Sequence, residues 1–449
     1  MHKAIIFVDA KSDENVEAPL SFLKVGGISL LERQLRQLKD VGVEHVYLMS
    51  FSMPEMLHRN LSRFKKAPKK IETIDANFID TSFWDGLGAA LLVEEGRLID
   101  DRIYQAVSAL REKNSLALFD KDAVMYGKTN GLELDVNGAP CLFASIACVD
   151  EGVLKSASLA EGFNQTPLKT VLDNMLKTSE HETVNIDQIE TYISTSCRDV
   201  PVLWRPISGK GECKRGTKIL MAMAQKGALD WPARWIHPVF ENMIVYYSLP
   251  TFITPNFITL VASALGFFTS YLFAIGHMGP ALAGAMIVGV LFGVDGKLAR
   301  VKMLSSRAGY LEHILDKFVE YSWYLSMAYY FTDVSGNGGW WAVGGLIVLF
   351  SLAQTIQGEF FRRLTGRELD DTGVFERAYR LIGAGRNTKV WMLVPFALTQ
   401  NWELGFWVLA VYSVMSFFVA QWRFIIRTRD YTMSKSEAIA ENINKTRYF

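Results

Sequence analysis

The chain has 449 residues, 50% of them hydrophobic, with a formal net charge of zero and a pI near 7.1. This balance of charge argues against a general nucleic-acid binder, and the length allows two or three domains. Residues 1–225 alternate polar and short apolar runs, whereas residues 251–427 form long, aromatic-rich apolar stretches. The pattern predicts a soluble part followed by a membrane part.

The first 225 residues have the pattern of an α/β domain. "KAIIFVDA" and "HVYLMSF" are typical of buried strands, and the leucines between them have helical spacing, which predicts a βαβ unit. The strand-like runs "SLALFD", "CLFASIACVD" and "PVLWRPI", with the helical run "RIYQAVSALREK", extend this to a layered domain with a mostly parallel sheet. The cysteines lack metal-binding spacing and are expected to be free thiols: Cys141, Cys148, Cys197 and Cys213.

Residues 226–250 combine several aromatic residues with Arg234, His237 and Glu241. This composition favours an amphipathic helix at a membrane interface, joining the two halves of the chain. An ordinary interdomain helix is the alternative.

Six later segments are candidates for membrane spans, each of which needs roughly 20 apolar residues. They are 252–275, 280–299, 309–331, 339–359, 389–400 and 404–425, the fifth being the shortest. Lys and Arg residues cluster in two of the connections, and the turns "GHMG", "TDVSGNGG" and "QNWE" carry no Lys or Arg. With no signal peptide evident at the start of the chain, the positive-inside rule predicts a multi-pass protein of the cell inner membrane, with the first domain and the tail 428–449 cytoplasmic.

Three acids lie at the ends of two adjacent predicted spans. Asp295 closes the second span, and Glu312 and Asp316 open the third. Acids in membrane segments are costly and are therefore functional candidates. Because residues four apart share a helix face, Glu312 and Asp316 could join Asp295 in binding one divalent cation.

The residues beside these acids suit an anionic substrate. Gly296 and Ala299 leave room for close approach to the helix, and Arg300 and Arg307 are suited to binding phosphate. Carboxylates, a divalent cation and arginines together predict phosphoryl transfer.

Structural ion pairs are the alternative explanation of the same acids. Asp295 would pair with Arg300, and the two acids of the next span would pair with Lys317 or Arg307. Such pairs at helix ends would have no catalytic role.

The string "DGKLAR", followed by acids four residues apart, resembles the signature of the CDP-alcohol phosphotransferase family, D-x-x-D-G-x-x-A-R and then G-x-x-x-D-x-x-x-D. "TPNFIT" is similar to that family's T-x-x-P-N-x-x-T and brings Thr254 and Asn256 into the expected substrate site. The resemblance covers about residues 226–427 and implies six helices in membrane lipid. It also implies a CDP-linked donor, an alcohol or alcohol-phosphate acceptor, and release of CMP in phospholipid or polar headgroup synthesis.

The same resemblance implies Mg²⁺ or Mn²⁺ at Asp295, Glu312 and Asp316, with Asp316 as general base, and allows a homodimer. Phe292 stands where the family has its first Asp, and the last two acids sit one residue early, so that Ala308 takes the Gly position. A phenylalanine cannot ligate a cation. The alternative is therefore a pseudoenzyme that binds nucleotide as a scaffold or regulatory partner; a transporter is disfavoured because no broken half-helices are evident.

A later basic pair, Arg386 and Lys389 in "GAGRNTK", has two interpretations. Arg386 could bind an acceptor phosphate as part of the site. Alternatively, both residues could lie among lipid headgroups, as basic residues at span ends commonly do.

The first domain resembles sugar-phosphate nucleotidyltransferases in the run "FLKVGGISLLERQLRQLKDVGVEHVYL". Leu20 falls on that family's catalytic Lys, "DAKSDENVEAP" replaces its phosphate loop, and Gly96 and Arg97 replace its Gly-Asp pair. The resemblance implies that the domain has the nucleotidyltransferase fold but has lost the catalytic activity. The alternative is that Lys24 acts with Asp100 or Asp101 in place of the missing residues. The domain order is similar to that of fused inositol-1-phosphate cytidylyltransferase and di-inositol-phosphate-phosphate synthases, but here the donor is expected to be made elsewhere.

Overall fold

The computed structural model describes residues 2–8, 20–51, 67–110, 113–120, 131–136, 138–194, 196–304 and 309–433, and the backbone alone at 2, 120 and 309–313. The chain forms two compact units, Met1–Thr191 with Pro201–Leu220, and Tyr192–Val200 with Met221–Phe449. The segment 192–200 thus belongs to the second unit, although the sequence places it within the predicted first domain, 1–225.

The first unit contains a mixed, eight-stranded sheet. The strands in chain order are β1 (His2–Phe7), β2 (Lys24–Val25), β3 (Ile28–Ser29), β4 (Val43–Ser50), β5 (Lys70–Asp75), β6 (Ala90–Glu94), β7 (Arg97–Ile99), β8 (Asn114–Asp120), β9 (Glu133–Val136), β10 (Ala139–Val149), β11 (His181–Asn185) and β14 (Trp204–Pro206), with β12 (Tyr192–Ile193) and β13 (Arg198–Asp199) in the second unit. The main sheet has the order β11-β8-β10-β6-β1-β4-β5, with β9 on β10. Within the described strands of this main sheet, the three pairs that involve β10 are antiparallel and the other four are parallel, so the predicted mostly parallel sheet is confirmed.

The helices of the first unit are α1 (Leu30–Asp40), α2 (Asp101–Ala109), α3 (Glu151–Ser158), α4 (Pro167–Thr178) and the start of α5 (Lys210–Met223). Helix α1 joins the parallel strands β1 and β4, which confirms the βαβ unit. Ser29 caps it by accepting a hydrogen bond from the Glu32 amide at 3.1 Å. The predicted strand "PVLWRPI" is reduced to β14, which pairs with β7 outside the main sheet.

Apart from β12 and β13, the regular structure described in the second unit is helical. Its helices are α6 (Trp231–Trp235), α7 (His237–Ser248), α8 (Pro255–Ala274), α9 (Met278–Val301), α10 (Gly309–Ser335), α11 (Gly339–Thr365), α12 (Val374–Ile382), α13 (Arg386–Met392), α14 (Val394–Leu398) and α15 (Trp402–Thr432). Helices α8, α9, α11 and α15 are long and apolar enough to cross a membrane. Four of the six predicted spans thus have a matching helix, and a six-span topology stays a prediction.

The other two predicted spans differ from these four. The third predicted span lies within α10, a continuous helix of 27 residues that carries Glu312 and Asp316. The fifth is divided between α13 and α14, of seven and five residues, with Pro395 at the start of α14. Neither part alone has the length of roughly 20 residues that a span needs.

The predicted interfacial helix 226–250 is also divided, into α6 and α7, with Pro238 in the first turn of α7. Helix α7 buries His237 and Glu241, and it exposes apolar side chains that include Val239 and Tyr247. This two-faced burial agrees with an amphipathic helix; its position at a membrane interface stays a prediction.

A glycine brings α8 and α10 together near the acids. The side chain of Trp323 donates a hydrogen bond to the carbonyl of Gly266 at 2.9 Å. A Cβ atom at Gly266 would overlap the side chain of Val319, which is fully buried. The close contact requires a residue without a side chain and fixes α10, which carries Asp316, against α8.

Candidate active site

Asp295 lies buried between two helices. It is near the C-terminal end of α9 and has no exposed surface. Its Oδ2 accepts a hydrogen bond from the hydroxyl of Thr259, on α8, at 2.9 Å. Thr259 ends the "TPNFIT" segment, so the structure joins two motifs that the sequence shows separately. A buried carboxylate also needs a compensating charge.

Arg386, the first residue of α13, supplies a positive charge beside the acids. Its guanidinium contacts the carboxylate of Asp316, and the side chains are only 11% and 22% exposed. The guanidinium carbon lies 5.1 Å from the centre of the Phe292 ring, within the range of a cation–π contact. Phe292 precedes Asp295 by about one helical turn, and the Asp295 carboxylate acts electrostatically on the same arginine.

A third carboxylate, Asp230, faces this arginine. Asp230 is 3% exposed, caps α6 through the Ala233 amide at 3.2 Å, and accepts a hydrogen bond from Asn387 at 3.2 Å. Burial lowers the pKa of Arg386 to about 10, and the charges of Asp230 and Asp295 oppose this shift. The guanidinium therefore stays protonated at neutral pH and balances nearby negative charge.

The predicted substrate-binding residues lie in several places. Thr254 caps α8 by accepting a hydrogen bond from the Phe257 amide at 3.3 Å, and Asn256 is exposed. Arg300 is exposed, and its Nε donates to the carbonyl of Ala224 at 2.8 Å. Of the predicted binding side chains that the structure describes, that of Arg386 lies directly against a predicted catalytic acid.

The remaining predicted residues are only partly described. Gly296 and Ala299 are half-buried on α9, and a Cβ at Gly296 would lie 3.3 Å from a guanidinium nitrogen of Arg300. Arg307 and Ala308 lie outside the described residues, and of Glu312 only the backbone, on α10, is described. Their roles stay predictions.

The ion-pair alternative has different partners from those expected. Asp316 pairs with Arg386, while Lys317 pairs with Glu320 at 3.1 Å. Among the described side chains, Asp316 thus pairs with a helix far along the chain and not with Lys317, whereas Arg307 and the side chain of Glu312 lie outside the described residues.

Glu320 is a buried acid that the sequence analysis missed. Its carboxylate lies 2.6 Å from Lys389 and accepts a hydrogen bond from Tyr324 at 3.2 Å. Lys389 is fully buried and also donates to Ser351 at 2.8 Å. The available signal was the spacing, because Glu320 continues the four-residue series of Glu312 and Asp316 on one helix face.

Another face of α9 is packed against the polar side of α7. Lys297 lies 3.0 Å from Glu241 and donates to Asn242 at 2.9 Å, so this residue of "DGKLAR" serves a buried ion pair. A Cβ at Gly293 would overlap Glu241. Burial raises the pKa of Glu241 and the charge of Lys297 opposes the shift.

The described side chains do not fit a divalent cation. The Asp316 carboxylate is paired with a guanidinium, and Phe292 presents a ring where a ligand would be needed. Within the described side chains, which leave out Glu312, no group of three or more His, Cys, Asp or Glu residues could hold a metal ion. Mg²⁺ or Mn²⁺ at Asp295, Glu312 and Asp316 stays a prediction.

In the first unit, Leu20 and Gly96, which both fall on catalytic positions of the resembled family, lie next to each other. A Cβ at Gly96 would lie 2.8 Å from the side chain of Leu20, and Arg97 pairs with Glu94 at 2.6 Å. The loop "DAKSDENVEAP" lies outside the described residues. Leu20 therefore places an apolar side chain where the resemblance implies a lysine.

Lys24, Asp100 and Asp101 were the alternative candidates for catalysis in the first domain, and the structure shows the environment of each. Lys24 is exposed, Asp100 caps α2 and pairs with Arg102 at 2.8 Å, and Asp101 accepts a hydrogen bond from Gln37 at 2.6 Å. These contacts give both acids structural roles. None of the four cysteines, all of which are among the described residues, forms a disulfide.

The family described as CDP-alcohol phosphatidyltransferase matches residues 252–363 of the chain. Similar curated proteins include the bifunctional IPC transferase and DIPP synthase of Aquifex aeolicus (strain VF5), 22% identical over 415 residues that cover 89% of this chain and 90% of that protein. The protein of the same name from Thermococcus kodakarensis is 27% identical over 201 residues, or 44% of each chain.

Among solved structures, the inositol-1-phosphate CTP transferase from T. maritima is similar to 49% of this chain and 96% of its own, with 15% identity and a TM-score of 0.35. HddC from Yersinia pseudotuberculosis covers 49% of this chain and 99% of its own, with 11% identity and a TM-score of 0.33.

Proposed function

We propose that this chain, which contains a CDP-alcohol phosphatidyltransferase domain at residues 252–363, is a membrane CDP-alcohol phosphotransferase. It transfers a phosphoryl-linked alcohol or phosphatidyl group from a CDP-linked donor to an alcohol or alcohol-phosphate acceptor and releases CMP. The observation that most supports this is the arrangement of Asp295 and Asp316, which lie on neighbouring helices of the matched range and face one cation, Arg386. Phosphoryl transfer depends on such positioning of charge.

In the proposed reaction, Asp316 takes the proton from the acceptor hydroxyl. The acceptor oxygen forms a bond to the donor phosphorus, the bond from that phosphorus to the CMP oxygen breaks, and CMP leaves with the electron pair. Asp316 is 22% exposed, so an acceptor can come within hydrogen-bond distance of it. Arg386 would leave Asp316 and bind the donor's diphosphate, whose charge it would reduce.

The site operates at the cytoplasmic face of the cell inner membrane, in phospholipid or polar headgroup synthesis. Four membrane-length helices, and the absence of Lys and Arg from the turns "GHMG", "TDVSGNGG" and "QNWE", support this location. The name of the A. aeolicus relative joins two activities, and we assign only the transfer step to this chain, because Leu20 replaces the lysine expected in the first unit. The donor then comes from a separate reaction that links CMP to an alcohol phosphate.

Release of CMP from a panel of CDP-alcohols tests the proposal, with purified full-length protein, alcohol acceptors, and either Mg²⁺, Mn²⁺ or a chelator. Asp316→Asn should lower kcat by about 100-fold or more, because loss of a general base costs that much. Asp333→Asn, the same change at an exposed position near the end of the same helix, should leave kcat unchanged. Equal rates for both variants would refute the role of Asp316, and the chelator arm tests the predicted metal requirement.

The pairing of Asp316 with Arg386 also supports a second candidate, a pseudoenzyme. A permanent pair would block the base and leave a nucleotide-binding scaffold or regulatory partner. Saturable binding of a CDP-alcohol without CMP release under any metal condition would favour this candidate. Turnover that depends on Asp316 would exclude it.

A further inference from the structure

Arg386 lies against two of the three acids that are predicted to bind a metal ion. Its guanidinium contacts Asp316, while Asp230 and Asp295 act on it from other elements. The arginine side chain is 11% exposed, so most of its charge is balanced by protein groups and little by water.

Phe292 suits this arginine and does not suit a metal ion. The ring lies one helical turn before Asp295 and presents its face to the guanidinium, at 5.1 Å. An aromatic face attracts a planar, weakly hydrated cation such as guanidinium. A hard divalent cation requires oxygen ligands, which a phenyl ring lacks.

The surrounding backbone holds the arginine in place. Arg386 begins α13, and its neighbour Asn387 donates to the buried Asp230 at 3.2 Å. A Cβ at Gly385 would lie 2.9 Å from the same Asp230 carboxylate, so the chain before Arg386 runs close to it. The position of the guanidinium is thus set by the fold and by the stacking on Phe292.

We infer that Arg386 is the resident cation of this carboxylate cluster, and that a divalent cation can bind Asp316 only in competition with it. Two positive charges at one carboxylate repel each other, and the pair of Asp316 with Arg386 must open before a metal ion can bind. This inference deepens the proposed function by naming what controls metal binding at the same site. Its test measures metal binding without substrate, so it can fail while CMP release is observed, and the reverse also holds.

The experiment is titration of purified full-length protein with Mn²⁺ alone, followed by electron paramagnetic resonance or calorimetry. Arg386→Gln should tighten Mn²⁺ binding by about tenfold or more, since it leaves Asp316 and Asp295 without their cation. Arg386→Gln combined with Phe292→Asp should bind most tightly. Arg363→Gln, which removes an arginine whose side chain is 79% exposed, should match the parent. Unchanged or weaker binding by a folded Arg386→Gln protein would overturn the inference.

A second variant, Phe292→Leu, tests the same inference if Arg386→Gln does not fold. Phe292→Leu keeps an apolar side chain and adds no ligand, but removes the ring face that holds the guanidinium. It should tighten Mn²⁺ binding by about two- to fivefold, the effect of losing one cation–π contact. Affinity equal to that of the parent would contradict competition by Arg386.

Discussion

His237 lies in an environment that keeps its imidazole neutral. It is 2% exposed on α7, and its pKa falls from 6.5 to about 4, chiefly because burial removes water; Asp230 opposes the shift and Arg386 adds to it. The unfolded chain would bind a proton near pH 6.5, whereas the native protein binds it only near pH 4. Stability is therefore fully present above pH 6.5 and is lost as the pH falls toward 4.

We predict that His237 contributes on the order of 3 kcal/mol to the acid sensitivity of the free energy of unfolding. His237→Gln, which cannot ionise, should flatten the fall in the unfolding midpoint between pH 6.5 and 4, measured in detergent by thermal scans. His181→Gln, a half-buried histidine of the first unit, is the control and should keep the slope of the parent. A slope unaltered by His237→Gln would mean that another group sets the acid sensitivity.

The orientation of α11 can be tested because its ends carry exposed residues. Asn337 lies two residues before the first residue of the helix, and Arg363 lies in its last turn. If α11 crosses the membrane, these two positions lie on opposite sides. The positive-inside rule places Arg363 in the cytoplasm, where anionic lipids and the insertion machinery favour basic residues.

We predict that a membrane-impermeant maleimide labels Asn337→Cys in intact cells and Arg363→Cys only after permeabilisation. The parent, whose four cysteines lie in the predicted cytoplasmic part of the chain, is the control and should stay unlabelled in intact cells. Labelling of Arg363→Cys and protection of Asn337→Cys would reverse the proposed orientation.

At the scale of the whole molecule, the two units are expected to differ in activity. The second unit has ionisable groups at its candidate site, whereas the first unit has Leu20 against Gly96 and the pair of Arg97 with Glu94. An apolar side chain at that place gives no charge to hold a triphosphate.

We predict that the full-length protein, supplied with CTP and alcohol phosphates, releases no pyrophosphate above the rate without protein. Coupled phosphate detection after pyrophosphatase measures this. Steady release that is abolished by Lys24→Ala, and kept in Lys69→Ala, would restore a bifunctional protein. Lys69 is an exposed lysine of the same unit and serves as the matched control.

Sequence patterns of short range determined much of this protein. Short apolar runs predicted β1 and β4, and the helical spacing of leucines predicted α1 between them. Four of the six apolar segments predicted as spans correspond to helices long enough to cross a membrane. The resemblance of "DGKLAR" and the acids after it to a family signature predicted the domain that the family match supports at residues 252–363. These features depend on local periodicity or on short motifs, which the sequence carries directly.

Only the tertiary structure decided which groups meet. It placed Arg386 on Phe292 and Asp316, joined Thr259 to Asp295, and buried Glu320 with Lys389. Each contact joins residues distant in the chain and depends on how every helix is rotated about its axis and packed, which periodicity alone does not specify. The cation beside the candidate acids is therefore a product of packing, whereas the acids themselves were predictable from their cost in a membrane segment.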